Sequence, residues 1–429
     1  MIDKACSIRS QVDLWQSTSF RTVRITKQGS HAYLCFAIAL AVSLFACTGW
    51  ADPRPYPLRT FSPAQIQSME TLLNDGDVSL IESTPNGKHG QITTFSFVNA
   101  PAELVWGVVA HPERYGDFVR NMEKCSVQKY ADGSLEHSYS INYTITRVFG
   151  RHRYVFLPKE SSGSLPSIDM TEPEDGATRH YRWEFIPVPR GTLLVLYGYT
   201  NMPDEGLVNR LTSSVPSLEY GLALITQMTQ QFAMKKRAEQ LAGIRTIPAL
   251  NRTQGGYHFL LERGVVVLTR TQNDRLSGLN LIDQARAKIE TLLQIAGEPS
   301  AWSKFVPSIT LSRNTGEGSP QKIELEQTLP LMSWRTNYGV MLSRSSVDLM
   351  GLSGDLRDAR IRWDFQSLAD DKTQIVLRIS QDFQRSSMVI RQLYKLEPLF
   401  EYGINVGMSL LLLWGVKWRA EQVQTQKAT

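Results

Sequence analysis

The sequence predicts an α+β protein of two related domains, each a curved antiparallel sheet closed by one long C-terminal helix. Two observations carry this. The block Glu219-Tyr220-Gly221 through Arg237-Ala238-Glu239-Gln240 recurs without a gap as Glu401-Tyr402-Gly403 through Arg419-Ala420-Glu421-Gln422. Each copy has helical apolar spacing and follows a series of short alternating segments, so the repeat divides the chain into halves.

Residues 1–51 stand apart. Arg21, Arg24 and Lys27 precede an apolar run from Ala32 to Ala46, and Gly49 and Ala51-Asp52-Pro53 follow. A positive region, an apolar core shorter than the ~20 residues of a membrane span and a small-residue cut site form a secretory signal peptide, cut after Ala51. An uncleaved anchor is the alternative. Leu44-Phe45-Ala46-Cys47 also resembles a lipobox, which would anchor the chain by a lipid on Cys47. Either way the expected location is outside the cytoplasm, in the periplasm. Residues 1–51 carry five basic and two acidic residues, so without them the net charge falls from +5 to +2. That balance speaks for no nucleic-acid partner. Of four cysteines only Cys125 lies beyond the leader, so no internal disulfide holds the fold.

An N-terminal extension, 52–76, follows, with Ser62-Pro63 starting a helix to Leu73. The first domain spans 77–242. Strands Asp77–Ser83 and Gln91–Val98 flank Pro85-Asn86-Gly87, and Asn99-Ala100-Pro101 opens a helix that stops at His111-Pro112. Strands are expected at Cys125–Tyr130, Glu136–Ile145, His152–Pro158, Ser167–Thr171, His180–Pro187 and Thr192–Thr200. A helical region from Leu207 to Ala242 ends the domain, and Pro216 either kinks it or marks its true start. Its stripe Leu218, Leu222, Ile225, Met228 and Phe232 is apolar, while Thr226, Gln227, Gln230 and Gln231 occupy the rest of its surface.

Residues 243–257, with Pro248 and Gly255-Gly256, read as a linker, and 258–424 as a divergent second domain. Its first strand is expected at Tyr257–Thr269, with Asp283 capping the next helix. Trp302, Phe305 and Val306 fall where Tyr115, Phe118 and Val119 do, and Arg362-Trp363-Asp364-Phe365 echoes Arg182-Trp183-Glu184-Phe185. In the second gripping helix, residues 404–418, Thr226, Thr229, Gln230 and Gln231 are replaced by Met408, Leu411, Leu412 and Leu413. Its outer face is expected to meet the first domain, another chain or a bilayer surface.

Phe97-Val98-Asn99-Ala100-Pro101-Ala102-Glu103-Leu104-Val105-Trp106, continuing as His111-Pro112-Glu113-Arg114-Tyr115-Gly116-Asp117-Phe118-Val119, resembles the opening of START-type domains. These include polyketide cyclase, lipid-transport and coenzyme-Q-binding proteins. The resemblance implies two helix-grip domains, in which a bent sheet wraps the C-terminal helix around an apolar cavity that holds a lipid, quinone or similar molecule. Cavity candidates are Trp106, Tyr115, Phe118, Trp183, Phe185, Tyr197, Tyr220 and Ile225 in the first domain, and Trp302, Phe305, Trp363 and Tyr402 in the second.

The seven histidines show no metal-ligand spacing, and no nucleophile, phosphate-loop or dinucleotide motif is present. No metal, cofactor or catalytic residue is assigned. His111 reads as solvent-facing at a helix end, Arg151-His152-Arg153 as a charged strand or turn, and the aromatics of Arg182-Trp183-Glu184-Phe185 as inward. The expected function is binding of a hydrophobic small molecule, for transport or sequestration, with the region after Val98 and the loop around Gly206 as its gate. A cyclase- or aromatase-like enzyme, using His111, Tyr220 or Arg182, and a scaffold with filled cavities are the alternatives. The thioester-linked substrates of the cyclases are cytoplasmic, which counts against the enzyme in an exported chain.

Overall fold

The computed structural model describes residues 57–73, 76–83, 89–142, 147–158, 165–172, 179–200, 216–243, 258–272, 275–316, 320–329, 332–368, 371–381 and 400–428. The leader, the Gly206 loop and most of the linker lie outside them, as does the side chain of Ile225.

The described strands form one antiparallel sheet. The first half contributes β1 (Asp77–Ser83), β2 (His89–Val98), β3 (Met122–Lys129), β4 (Leu135–Asn142), β5 (Arg147–Phe156), β6 (Ile168–Thr171), β7 (Arg179–Val188) and β8 (Gly191–Thr200). The second contributes β9 (Val265–Gln272), β10 (Arg275–Ala285), β11 (Ile309–Gly316), β12 (Gln321–Leu329), β13 (Met332–Leu342), β14 (Ser346–Gly354), β15 (Arg360–Ser367) and β16 (Thr373–Ser380). Their order is β11-β12-β13-β14-β15-β16-β10-β9-β1-β2-β8-β7-β6-β5-β4-β3, with the same arrangement on either side of the β1–β9 seam. At the seam Val78 faces Leu268 and Leu80 faces Val266.

Seven α-helices are described. They are α1 (Pro63–Ser68), α2 (Glu70–Leu73), α3 (Ala102–Ala110), α4 (Pro216–Leu241), α5 (His258–Leu261), α6 (Ile289–Gly297) and α7 (Phe400–Ala428). The central strands are covered on both faces, which explains the unbroken apolar runs Val265–Leu268 and Leu193–Tyr197. On the outer face α1, α2 and α5 pack Phe61, Ile66, Met69, Leu260 and Leu261 onto Val78, Leu80, Phe95, Val195 and Tyr197. The N-terminal extension is thus a covering layer. The helix expected over 62–73 breaks at Met69, and Ser62 and Gln65 cap each other reciprocally.

On the inner face the two long helices cross. A Cβ added at Gly221 would lie 2.5 Å from the Gly403 carbonyl oxygen, so the backbones touch where the Glu-Tyr-Gly motifs meet. Around that point Tyr220 packs edge-on against Trp414 at 5.1 Å, and Tyr402 packs likewise against Phe232 at 5.5 Å. Tyr220 and Tyr402 are equivalent in the repeat, as are Phe232 and Trp414, so the contact is reciprocal. Met408 and Leu410 to Leu413 are buried in the same core as Tyr220, Ala223, Leu224 and Met228. Of the partners expected for the apolar face of α7, the first half therefore occupies it. Among the described residues no helix is long and apolar enough to cross a membrane.

The second end of the repeated block has its own role. Glu239 accepts the Asn99 N–H at 3.1 Å, and Glu421 accepts the Arg286 N–H at 2.9 Å. Each glutamate ties its long helix to the strand-to-helix step of its own half, while Ala238 and Ala420 are fully buried.

Three expectations are corrected. Residues 258–261 are helical and the strand begins at Val265, because the Arg263 and Gly264 N–H groups turn back to the Leu260 carbonyl, and the bare Gly264 backbone then passes against the Ile81 carbonyl. Asp283 caps no helix; it sits in β10, where it binds Lys417 at 2.8 Å, and α6 starts after Lys288. Gln227 and Gln231 are buried rather than on the surface, because the Met228–Phe232 side of α4 faces α7 and the glutamines face β8.

The crossing makes a clear prediction. Gly221→Val forces a side chain into the Gly403 carbonyl and lowers unfolding stability by about 1–3 kcal/mol, in one transition for both halves. Gly107→Ala, whose Cβ meets nothing within 4 Å, leaves stability unchanged or slightly raised in the same denaturant titration.

Candidate functional site

The inner face of the first half is graded from apolar to polar. Side chains alternate along a strand, so β7 turns Tyr181, Trp183 and Phe185 inward and β8 turns Leu194, Leu196 and Gly198. Trp183, Phe185, Leu194 and Leu196 form the apolar part with Val105, Val109, Met234 and Ala238. Farther out, β4 and β5 set His137 directly across from His152 and Tyr139 across from Gly150. A Cβ at Gly150 would strike the Tyr139 ring at 2.3 Å, and one at Gly198 would strike the Gln227 amide at 2.0 Å. Both side chains lie flat on bare backbone.

The rings make a continuous series. Tyr115 meets His137 at 5.3 Å, His137 meets Tyr139 at 5.1 Å, Tyr139 meets His152 at 5.6 Å and His152 meets Tyr181 at 6.0 Å. Beside them Arg179 binds Glu172 at 3.0 Å, largely out of solvent. Burial holds His137 down at about 4. Burial, then the charges of Arg179 and His137, holds His152 down at about 3. Both imidazoles are neutral near pH 7. Burial lowers the Arg179 pKa, but Glu172, Tyr181 and Tyr139 more than offset it, and the guanidinium stays charged.

Among the described residues, His137 Nδ1, His152 Nε2 and both amide atoms of Gln227 have no hydrogen-bond partner at the polar end of this interior, and Ser96 Oγ, opposite Leu194 on the same face, is a fifth such atom. His137, His152, Gln227 and Ser96 are 1 %, 3 %, 0 % and 1 % exposed. Each such group costs about 1–3 kcal/mol when left unpaired, so their clustering calls for a partner. Cys125 Sγ lies 3.2 Å from His137 Nε2 and 2.8 Å from the Pro112 carbonyl. Burial pushes its thiol pKa up, so thiol and imidazole form no thiolate–imidazolium pair.

The sequence-predicted residues divide between places. Tyr115, Trp183 and Phe185 belong to this interior, with Phe118 and Trp106 packed at its margin. The Tyr115 hydroxyl donates to the Val109 carbonyl, Trp183 Nε1 to Met170 Sδ, and Trp106 Nε1 to the Pro166 carbonyl. Tyr197 lies on the opposite face of the sheet, where strand alternation turns it under Phe61 and its hydroxyl donates to Glu184. Tyr220 and Tyr402 are consumed by the helix crossing. His111 is exposed beside Glu113 at the end of α3, and Arg182 binds Asp169 on the outer face.

Trp302, Phe305 and Trp363 belong to the core of the second half. Trp302 and Trp363 are fully buried and pack with Phe365, Trp334 and Tyr338. Trp302 Nε1 donates to the Ile295 carbonyl, while the Tyr338 hydroxyl and Trp363 Nε1 find no partner. At the position of Gln227 stands Ser409, whose hydroxyl donates to the Asn405 carbonyl of its own helix, and at that of Gln231 stands Leu413. The second interior is lined by large rings, and its long helix presents a self-bonded serine and a leucine where the first presents two glutamines.

His137, His152, Glu172, Arg179 and Gln227 were not identified from sequence. The available signal was alternation: His137 and Tyr139 share one face of β4, as His152 and Tyr154 share one face of β5. Among the described residues no three His, Cys, Asp or Glu are placed to hold a metal.

The histidines fix the sign of one pH effect. Their folded pKa values lie below the unfolded value near 6.5, so the unfolded chain binds more protons in between. Stability is full above pH ~6.5 and falls as the pH drops toward 4, by up to about 1.4 kcal/mol per pH unit for each histidine. Denaturant midpoints at pH 7 and pH 5 should differ in the natural chain, and the difference should shrink in His137→Gln/His152→Gln.

No protein-family model and no curated protein matches the chain. Among solved structures it is similar to the di-domain ARO/CYC StfQ from the steffimycin biosynthetic pathway, at 15 % identity over 78 % of this chain and 98 % of that one, TM-score 0.26. It is also similar to a START superfamily protein from Mycobacterium smegmatis, at 17 % identity over 34 % and 98 %, TM-score 0.28. A STAR-related lipid transfer protein fragment from Xanthomonas axonopodis matches at 11 % identity over 35 % and 93 %, TM-score 0.24.

Proposed function

We propose that the chain binds a hydrophobic small molecule, of lipid or quinone type, in the interior of its first half, and that it does so as an exported carrier or store. One observation carries this reading. An apolar, aromatic inner face ends in four buried polar atoms without partners, and apolar walls with few convergent polar groups are what a ligand site needs. A ligand with an apolar body and a polar end satisfies both parts of the gradient. The polar end is neutral. Arg179 and Glu172 already balance each other and both histidines are uncharged, so a carboxylate or phosphate would add an uncompensated buried charge. The second half serves as the mate that positions α4, its own long helix offering a serine and a leucine in place of the two glutamines.

A cyclase-like reaction in the same interior is the second reading, favoured by two neutral imidazoles able to accept a proton. Native mass spectrometry of full-length protein purified without detergent separates the readings. A co-purifying neutral apolar compound, lost in Gln227→Leu/His152→Phe but kept in Trp363→Phe, is the expected result. A bound compound that the protein converts to one of different mass supports the enzyme, and a protein with no adduct overturns both.

A further inference from the structure

We infer that Cys125 fixes the tautomer of His137 so that its Nδ1 is a hydrogen-bond acceptor, and that the ligand of the first half carries a hydroxyl that donates to it. The inference rests on the reading of that interior as a hydrophobic ligand site and adds the chemistry of the ligand's polar end.

The thiol has one proton and, with the Gly116 and Tyr115 amides donating to the sulfur, two groups that could accept it. Sγ lies 2.8 Å from the Pro112 carbonyl oxygen and 3.2 Å from His137 Nε2. With the proton turned toward the imidazole, a sulfur lone pair would face the carbonyl oxygen at 2.8 Å, which is repulsive. The proton therefore belongs between sulfur and oxygen, and sulfur is left as an acceptor. His137 Nε2 then carries its ring's proton and donates to sulfur, because the hydrogen bond at one ring nitrogen decides the protonation of the other. Nδ1 is left with a lone pair. It is buried, no group among the described residues bonds to it, and the rings of Tyr115, Tyr139 and Tyr154 pack around the imidazole. An atom so placed discriminates sharply, since a partner lacking a donor leaves it desolvated and unpaired.

The site thus distinguishes a hydroxylated apolar compound from its ether. 2-Naphthol and 2-methoxynaphthalene share one fluorescent body and differ at the donor, and their binding to the full chain is read by fluorescence titration. The natural protein should prefer the naphthol by about tenfold, the ratio one well-made buried hydrogen bond confers. Cys125→Ser keeps the geometry, its hydroxyl donating to Pro112 and accepting from Nε2, and should keep the preference. Cys125→Ala frees the tautomer and should reduce the preference to a few-fold. His137→Phe should abolish it while still binding the ether. The 15N spectrum of histidine-labelled protein should show His137 as the Nε2–H form. Equal binding of the two compounds by the natural protein, a preference that survives His137→Phe, or an Nδ1–H form overturns the inference and leaves the hydrophobic-ligand reading standing. Binding of neither compound overturns both.

Discussion

Everything in this fold leans on the contact of two backbones at Gly221 and Gly403. Two long helices that each close their own half of the sheet approach until a single Cβ would not fit between them. The reciprocal pairs Tyr220–Trp414 and Tyr402–Phe232 lock the angle of the crossing. The seam between β1 and β9 joins the same halves through the sheet, so one surface is fixed twice, by helices and by strands. Met228 and Phe232 of α4 pack into the core that holds Met408 and Leu410 to Leu413 of α7, which accounts for the apolar breadth of α7.

That arrangement decides the character of the first interior. One side of α4 packs on α7 through Met228 and Phe232, and the side that faces its own sheet carries Gln227 and Gln231, followed by Met234 and Ala238. Gln231 donates to the Leu194 carbonyl, whereas Gln227 has no partner among the described residues. Opposite it, β4 and β5 bring up His137 and His152, held neutral by burial. In the second half the same helix position presents leucine to a core of tryptophans. The halves share topology and differ in the polarity of what they enclose.

The antiparallel strands and long helices were legible because they rest on patterns a sequence displays, whereas the joining of both halves into one continuous sheet, in place of two separate ones, was not. The repeated Glu-Tyr-Gly block, the alternating segments and the proline-bounded helix starts place most strands within a few residues of their observed ends. Long-range register was not legible. Tyr197 was expected in a cavity, yet one residue of alternation puts it on the opposite face. Tyr220 and Tyr402 were expected beside a ligand, but a tyrosine next to a glycine at a helix crossing has the same sequence signature. His137 and His152 lie far from any motif and acquire meaning only because their strands pair in a register that sets them face to face. The glutamines were assigned to solvent because helix polarity normally points there, and the exception needs the second half to be seen.

The central claim is that the unpaired atoms of the first interior are completed by a small molecule. An experimental electron-density map of the full chain, purified without detergent, tests it most directly. The account predicts continuous density for a non-protein molecule within hydrogen-bond reach of His137 Nδ1, His152 Nε2 and the Gln227 amide, with its apolar body against Trp183 and Leu196, and no such density in the second half. A map in which those four atoms bond to one another or to neighbouring protein groups, with protein side chains filling the space, would contradict it.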